Sequence, residues 1–217
     1  MLEQVEAAPA FRLGGPEDRR RLEHRARLLA WGGNAYHLGE FAIALGAGVA
    51  AGSIALIGFG ADSLIEVFSG GVIAWLFSGR RVGSEQAERR AQRLIALSFF
   101  VLAAYVSVES VRTLLGSDHP NRSWVGIGLA LFTAPTMPLL ARAKRHVGEQ
   151  LGSVATKKEG QQNLLCAYLS VALLLGLGAN ALFGWWWADP AAALAIAAVA
   201  AREGRESWRG EAGCDHC

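Results

Sequence analysis

Cysteine is scarce in this chain. Of 217 residues only three are cysteine, and two of these, Cys214 and Cys217, fall in the last four positions. One cysteine in the body of the chain excludes a disulfide framework as the source of its stability. Charge of one sign is lacking too. Twenty-one Lys and Arg against 19 Asp and Glu leave a net charge of +2. No basic patch is interleaved with aromatic residues, so nucleic acid is excluded as a partner. Neither an HExxH motif nor a Ser/His arrangement is present, so no enzyme activity is expected. An arginine-rich polar segment precedes the first apolar run, so no secretory signal is expected.

What the chain has in abundance is long hydrophobic sequence. Half of its residues are hydrophobic, and apolar stretches recur along its length. The fold class expected is all-α, a polytopic membrane protein with six transmembrane helices. The spans fall near residues 31–50, 54–77, 94–115, 123–141, 162–184 and 188–201. Ala51–Gly52 makes a tight turn between the first two. The sixth is short and alanine-rich, and reaches membrane length only with Trp185, Trp186 and Trp187, which suit an interfacial aromatic belt. Residues 1–30 form an N-terminal segment, with Pro16 opening a surface helix; residues 31–201 form the transmembrane domain and 202–217 a short tail. With both termini cytoplasmic, 19 of the 21 Lys and Arg residues lie on the inner side, and only Arg112 and Arg122 fall outward. That asymmetry sets the orientation.

The second span, IALIGFGADSLIEVFSGGVIAWLF, carries two acids, Asp62 and Glu66. Four residues apart, they share one helix face. A charge at the bilayer centre costs about 2.5–3.5 kcal/mol on insertion scales, so the pair needs a hydrated cavity or a cation. Two oxygen donors one turn apart make half of a metal site. The alternative is a protonated, hydrogen-bonded structural pair. The other half is sought on span five, which begins EGQQNLLCAYLS. Glu159, Gln162 and Cys166 fall on one side of that helix, and Cys166 binds metal only as thiolate. Carboxylates with a thiolate suit Zn²⁺ or a similar ion, whereas Ca²⁺ and Mg²⁺ prefer oxygen alone. The competing reading takes Cys166 as a small buried hydrophobe.

Other polar residues lie within the spans. His37 and Glu40, three apart, can share a face as a proton relay, a cation guide or a plain interhelical hydrogen-bond pair. Glu109 and Arg112 read as a salt bridge near the outer surface. Asp189, before Pro190, reads as the cap of the sixth helix. Glycines such as Gly46, Gly48, Gly58, Gly176 and Gly178 read as close-packing positions between helices. The Cys214–Asp215–His216–Cys217 tail offers soft donors, or is simply a reduced end. One point of geometry stands open. At about 1.5 Å per residue, Asp62 lies roughly 27 Å from Arg80 but Cys166 only about 12 Å from Lys158. The two levels meet only if span two runs on into the cytosol or the helices tilt.

ADSLIE in span two, the six spans with cytoplasmic termini, the basic loop before span five and GWWWADPAAALAIAAVAAREG together resemble the cation diffusion facilitator family over roughly residues 30–205. The resemblance implies a divalent metal transporter of the cell membrane (a bacterial inner membrane), moving zinc or a similar ion out of the cytosol against protons by alternating access. By position, Asp62 and Glu66 match the family's span-two pair. Gln162 and Cys166 stand where span five usually carries His or Asp and then Asp. The metal ion, Zn²⁺ or another divalent transition metal, is substrate rather than cofactor. The other partners implied are protons, the lipid bilayer and, as a candidate, a second copy in a homodimer. The family's usual cytoplasmic domain after span six is not expected here. The alternative within the fold is a metal-binding or regulatory membrane protein without turnover.

Overall fold

The computed structural model describes residues 16–76, 85–116, 119–151 and 154–209. The Cys214–Asp215–His216–Cys217 motif lies outside them. The described residues form six helices and no strand, as the fold class requires: α1 (Pro16–Ala51), α2 (Ile54–Leu76), α3 (Glu85–Leu115), α4 (Trp124–Leu151), α5 (Val154–Phe183) and α6 (Ala188–Arg209). Pro16 does open a helix, and that helix runs without a break into the first apolar stretch. Among the described residues three segments are long and apolar enough to cross a membrane: Gln92–Leu115, Trp124–Leu151 and Glu159–Phe183. The expected second span ends at Phe77, outside the described residues.

Neighbours in sequence pack as antiparallel pairs, α1 on α2 and α4 on α5, while α3 packs on α6. The first pair turns at Gly52, whose φ of +66° is a left-handed conformation that costs glycine least. From that turn the two helices keep a strict register. Gly48 faces Ile57, Ala44 faces Gly60, Glu40 meets Ser63 and His37 meets Glu66. The steps are of four and three residues on α1 and of three on α2, a close-packed ridge-and-groove pattern. Gly60 makes it possible, because a Cβ there would come within 2.9 Å of Ala44 Cβ. Gly48 and Gly176 likewise have no room for a methyl group, and a Cβ at Gly58 would come within 3.1 Å of Val106 Cγ2, as a packing role requires. Gly46 and Gly178 face open space, so packing within the chain does not account for them.

The start of α2 is capped from a distance. Ser53 Oγ accepts from Leu56 N at 3.1 Å and donates to Asp189 Oδ1 at 2.5 Å. Asp189 Oδ2 accepts from Ile54 N at 3.0 Å and Ala55 N at 3.4 Å. Asp189 therefore caps α2 and not its own helix, which corrects the sequence reading. The reason is that α6 opens on backbone carbonyls: Ala188 N donates to Trp185 O and Ala191 N to Trp187 O. A fully buried carboxylate at the positive end of α2 satisfies donors that apolar surroundings could not. It also ties the α1–α2 turn to α6. Asp189→Ala is expected to destabilise the protein by roughly 2–3 kcal/mol, since it strands one hydroxyl and two N–H groups. Asp189→Asn should cost less. Thermal or denaturant unfolding in detergent measures both.

Candidate metal centre

His37, Glu66 and Cys166 form a buried triad drawn from α1, α2 and α5. Their candidate ligand atoms, one nitrogen, one oxygen and one sulfur, all lie within 4.8 Å of one another. The α1–α2 register brings the first two together: His37 Nδ1 is 2.8 Å from Glu66 Oε2. Cys166 reaches the same place from α5, which begins at Val154 and so extends well past the polar end of span five. The level problem posed by the sequence is thus solved for Glu66. Asp62 sits one helical turn nearer the Gly52 hairpin and is not in the triad.

The two acids around His37 differ in how they are held. Glu40, with a fully buried side chain, accepts from Thr133 Oγ1 at 2.7 Å and from Ser63 Oγ at 2.8 Å. His37 Nδ1 lies 3.3 Å from its Oε2, and the Cys166 thiol points at the same oxygen from 3.8 Å. Tyr36 closes the set, its hydroxyl donating across 2.7 Å to Thr133 Oγ1, whose own proton goes to Glu40. Glu40 is thus a structural knot of α1, α2, α4 and α5. Glu66 has none of this. Both of its oxygens are buried, and no hydroxyl or amide reaches them. Its close contact is the ion pair with His37 Nδ1, 2.8 Å from Oε2. A buried carboxylate held by one such contact is costly.

Behind His37 stands Asn163 of α5. Its Nδ2 donates to His37 Nε2 at 3.1 Å and contacts Met137 Sδ at 3.3 Å. In this orientation of the amide Nε2 accepts, which would place the imidazole proton on Nδ1, between the two carboxylates. Asn163 Oδ1 is buried without a partner. Turning the amide over would let Oδ1 accept from Nε2–H, the tautomer a His needs when Nδ1 binds metal.

Asp62, Gln162 and Glu159 are not among the three converging ligand atoms, but Asp62 lies within electrostatic reach of His37, Glu66 and Cys166. Glu159 pairs with the buried Lys144 at 3.3 Å and has 40% of its side chain exposed, so it joins α5 to α4. Gln162 is half-buried one turn before Cys166. Its neighbour Asn163 is the residue that faces His37. Asp62 is buried, and its charged neighbours include Glu66 and, from α6, Glu203. Burial holds the Glu203 carboxyl above the ordinary range, Glu206 adds to this, and Arg202 opposes it. Glu109 and Arg112 pair at 2.9 Å, as read from their spacing. His37 belonged to the sequence reading only as a partner of Glu40. A signal was available: His37 and Glu66 lie fourteen residues either side of the Ala51–Gly52 turn.

The family model for the cation efflux transmembrane domain matches residues 35–209. The chain belongs to the cation efflux family, and with its apolar helices it is a membrane protein. It is similar to a transporter of Synechocystis sp., sll1263, described as uncharacterized, at 25% identity over 167 residues. That alignment takes in 73% of this chain and 54% of the relative, so the chain spans about half the length of the curated relative it matches.

The two buried acids should respond unequally to neutralisation. Glu40→Gln leaves one fewer acceptor for Thr133 and Ser63 and is expected to cost about 2–3 kcal/mol. Glu66→Gln takes away a buried charge that no hydroxyl supports, loses only the pairing with His37, and should cost the metal-free protein less. Unfolding of the two variants in metal-free detergent solution gives the comparison, and the reverse order would contradict these assignments.

Proposed function

We propose that the protein carries a divalent transition-metal ion, zinc or one like it, across the membrane, out of the cytosol and in exchange for protons. The observation that carries this reading is Glu66: a buried carboxylate that no hydroxyl or amide reaches, paired with a histidine and beside a cysteine. One nitrogen, one oxygen and one sulfur donor suit Zn²⁺ and its neighbours and are foreign to Ca²⁺ and Mg²⁺. In this reading the ion takes the place of the proton on His37 Nδ1. Cys166 then binds as thiolate and gives up its own proton. Ligand atoms that hold either protons or metal couple the two by competition. Six spans with both termini cytoplasmic, an inner bacterial membrane, and alternating access belong to the same proposal. The charge asymmetry of the sequence supports the orientation.

A second reading is a metal-binding or regulatory membrane protein of this fold without turnover. Span five favours it, since Gln162 stands where the family resemblance implies His or Asp. Flux of Zn²⁺ and protons in proteoliposomes separates the two. Wild type should move zinc with counterflow of protons, and Glu66→Gln should reduce that flux to background. Cys166→Asp should keep flux but shift preference from Zn²⁺ and Cd²⁺ towards Mn²⁺, because a hard oxygen replaces sulfur. Zinc binding by wild type with no flux would select the second reading, and flux in Glu66→Gln equal to wild type would retire the site.

A further inference from the structure

The polar end of the α3–α6 pair carries an open groove of about 380 Å³ that shares no residue with the metal centre. It is lined by Leu97 and Phe100 of α3 and by Arg205, Trp208 and Arg209 of α6. Leu97 and Phe100 belong to an apolar segment, Gln92–Leu115, long enough to cross a membrane, and they lie one to two turns from its polar end. Arg205, Trp208 and Arg209 come after the alanine-rich run of α6 has ended. The groove therefore straddles a boundary between apolar and aqueous surroundings. Its floor is greasy: Leu97 is 55% exposed and Trp208 57%. Phe100 and Trp208 tilt against each other with centroids 6.4 Å apart. Arg93 lays its guanidinium 5.8 Å from the Trp208 ring centroid, a cation–π contact.

We propose that this groove is a binding site for one anionic phospholipid. An acyl chain would lie along Leu97 and Phe100, and the headgroup phosphate on the guanidinium of Arg205, with Arg209, which has a contact of its own, adding its charge nearby. Charge complementarity selects this occupant. Arginine pairs with phosphate through two parallel N–H donors, and arginines just beyond an apolar helix end are where an anionic leaflet attracts them. A second copy of the chain fits poorly. In a two-fold interface the same patch faces itself, so Arg93, Arg205 and Arg209 would meet their own symmetry mates. The inference stands apart from the transport proposal and needs only that these helices lie in a membrane.

Brominated lipids quench tryptophan on contact, and Trp208 supplies the probe. The full chain is placed in phosphatidylcholine vesicles containing either dibrominated phosphatidylglycerol or dibrominated phosphatidylcholine in equal amount. The difference between wild type and Trp208→Phe isolates the Trp208 signal. Quenching of that signal should favour the anionic lipid, by roughly fivefold in relative affinity per arginine. The preference should vanish in Arg205→Gln/Arg209→Gln and persist in part in Arg205→Lys/Arg209→Lys, which keeps charge but not the paired donors. Quenching of the other tryptophans by the brominated phosphatidylcholine shows membrane insertion independently. Equal quenching of Trp208 by both lipids, or a preference unchanged in the double Gln variant, would overturn the site. So would an unquenched Trp208 with concentration-dependent crosslinking, which would give the groove to a second copy.

Discussion

The register of the α1–α2 hairpin governs the rest of the structure. A left-handed glycine sets the turn, Ser53 and Asp189 hold it, and small residues let the two helices approach. Everything polar in the core follows from that alignment. Each step along the hairpin brings one residue of α1 level with one of α2, and the fourth step pairs His37 with Glu66. A slip of one residue would rotate His37 by about 100° away from the acid. The cap matters for the same reason. Apolar surroundings leave helix-end N–H groups without water, so the helix that carries Glu66 is anchored where a distant carboxylate meets them.

Glu40 and Glu66 show how one residue type can do two jobs at one depth. Glu40 has donors from α2 and α4, and the Cys166 thiol of α5 also points at it. Its charge is thereby spread over fixed dipoles, and the bundle gains a junction of four helices. Glu66 meets no such donors. A fold that can surround one buried acid with hydroxyls can do so for another, and here it has not. The core is otherwise densely packed: Phe59, Met137 and Ile196 are completely buried. Strained polar groups of this kind cluster where a protein acts rather than where it is held together.

Much of this was legible in the sequence, and the limits are instructive. Helix number and type, the tight turn at Gly52, the Glu109–Arg112 pair and the acid stripe of α2 all follow from periodicity and local spacing. Glu66 and Cys166 were also legible as partners across two helices. What escaped was the helix that completes the set. Span five was searched because Glu159, Gln162 and Cys166 share a face with usable donors. Glu159, however, is drawn off by Lys144, and the residue that reaches the site from that turn is Asn163. Asp189 escaped for a related reason. Its neighbourhood in sequence names it a cap, and only the three-dimensional path says whose.

The donor set bears on which motion such a centre allows. In the family resemblance, the metal is held by span two and span five alone. Here a nitrogen comes from α1, whose tight register with α2 makes His37 and Glu66 a single rigid jaw. Cys166 and Asn163 lie on α5, which packs chiefly on α4 and makes few contacts with α1. Relative movement of the two hairpins would leave the His37–Glu66 distance unchanged and alter only the reach of the sulfur. On the transport proposal, release by rocking would ask for the loss of one ligand, Cys166, rather than the dispersal of all three. The Cys166 thiol has an acceptor within reach in Glu40 Oε2, 3.8 Å away, which would take its hydrogen bond once it left the ion.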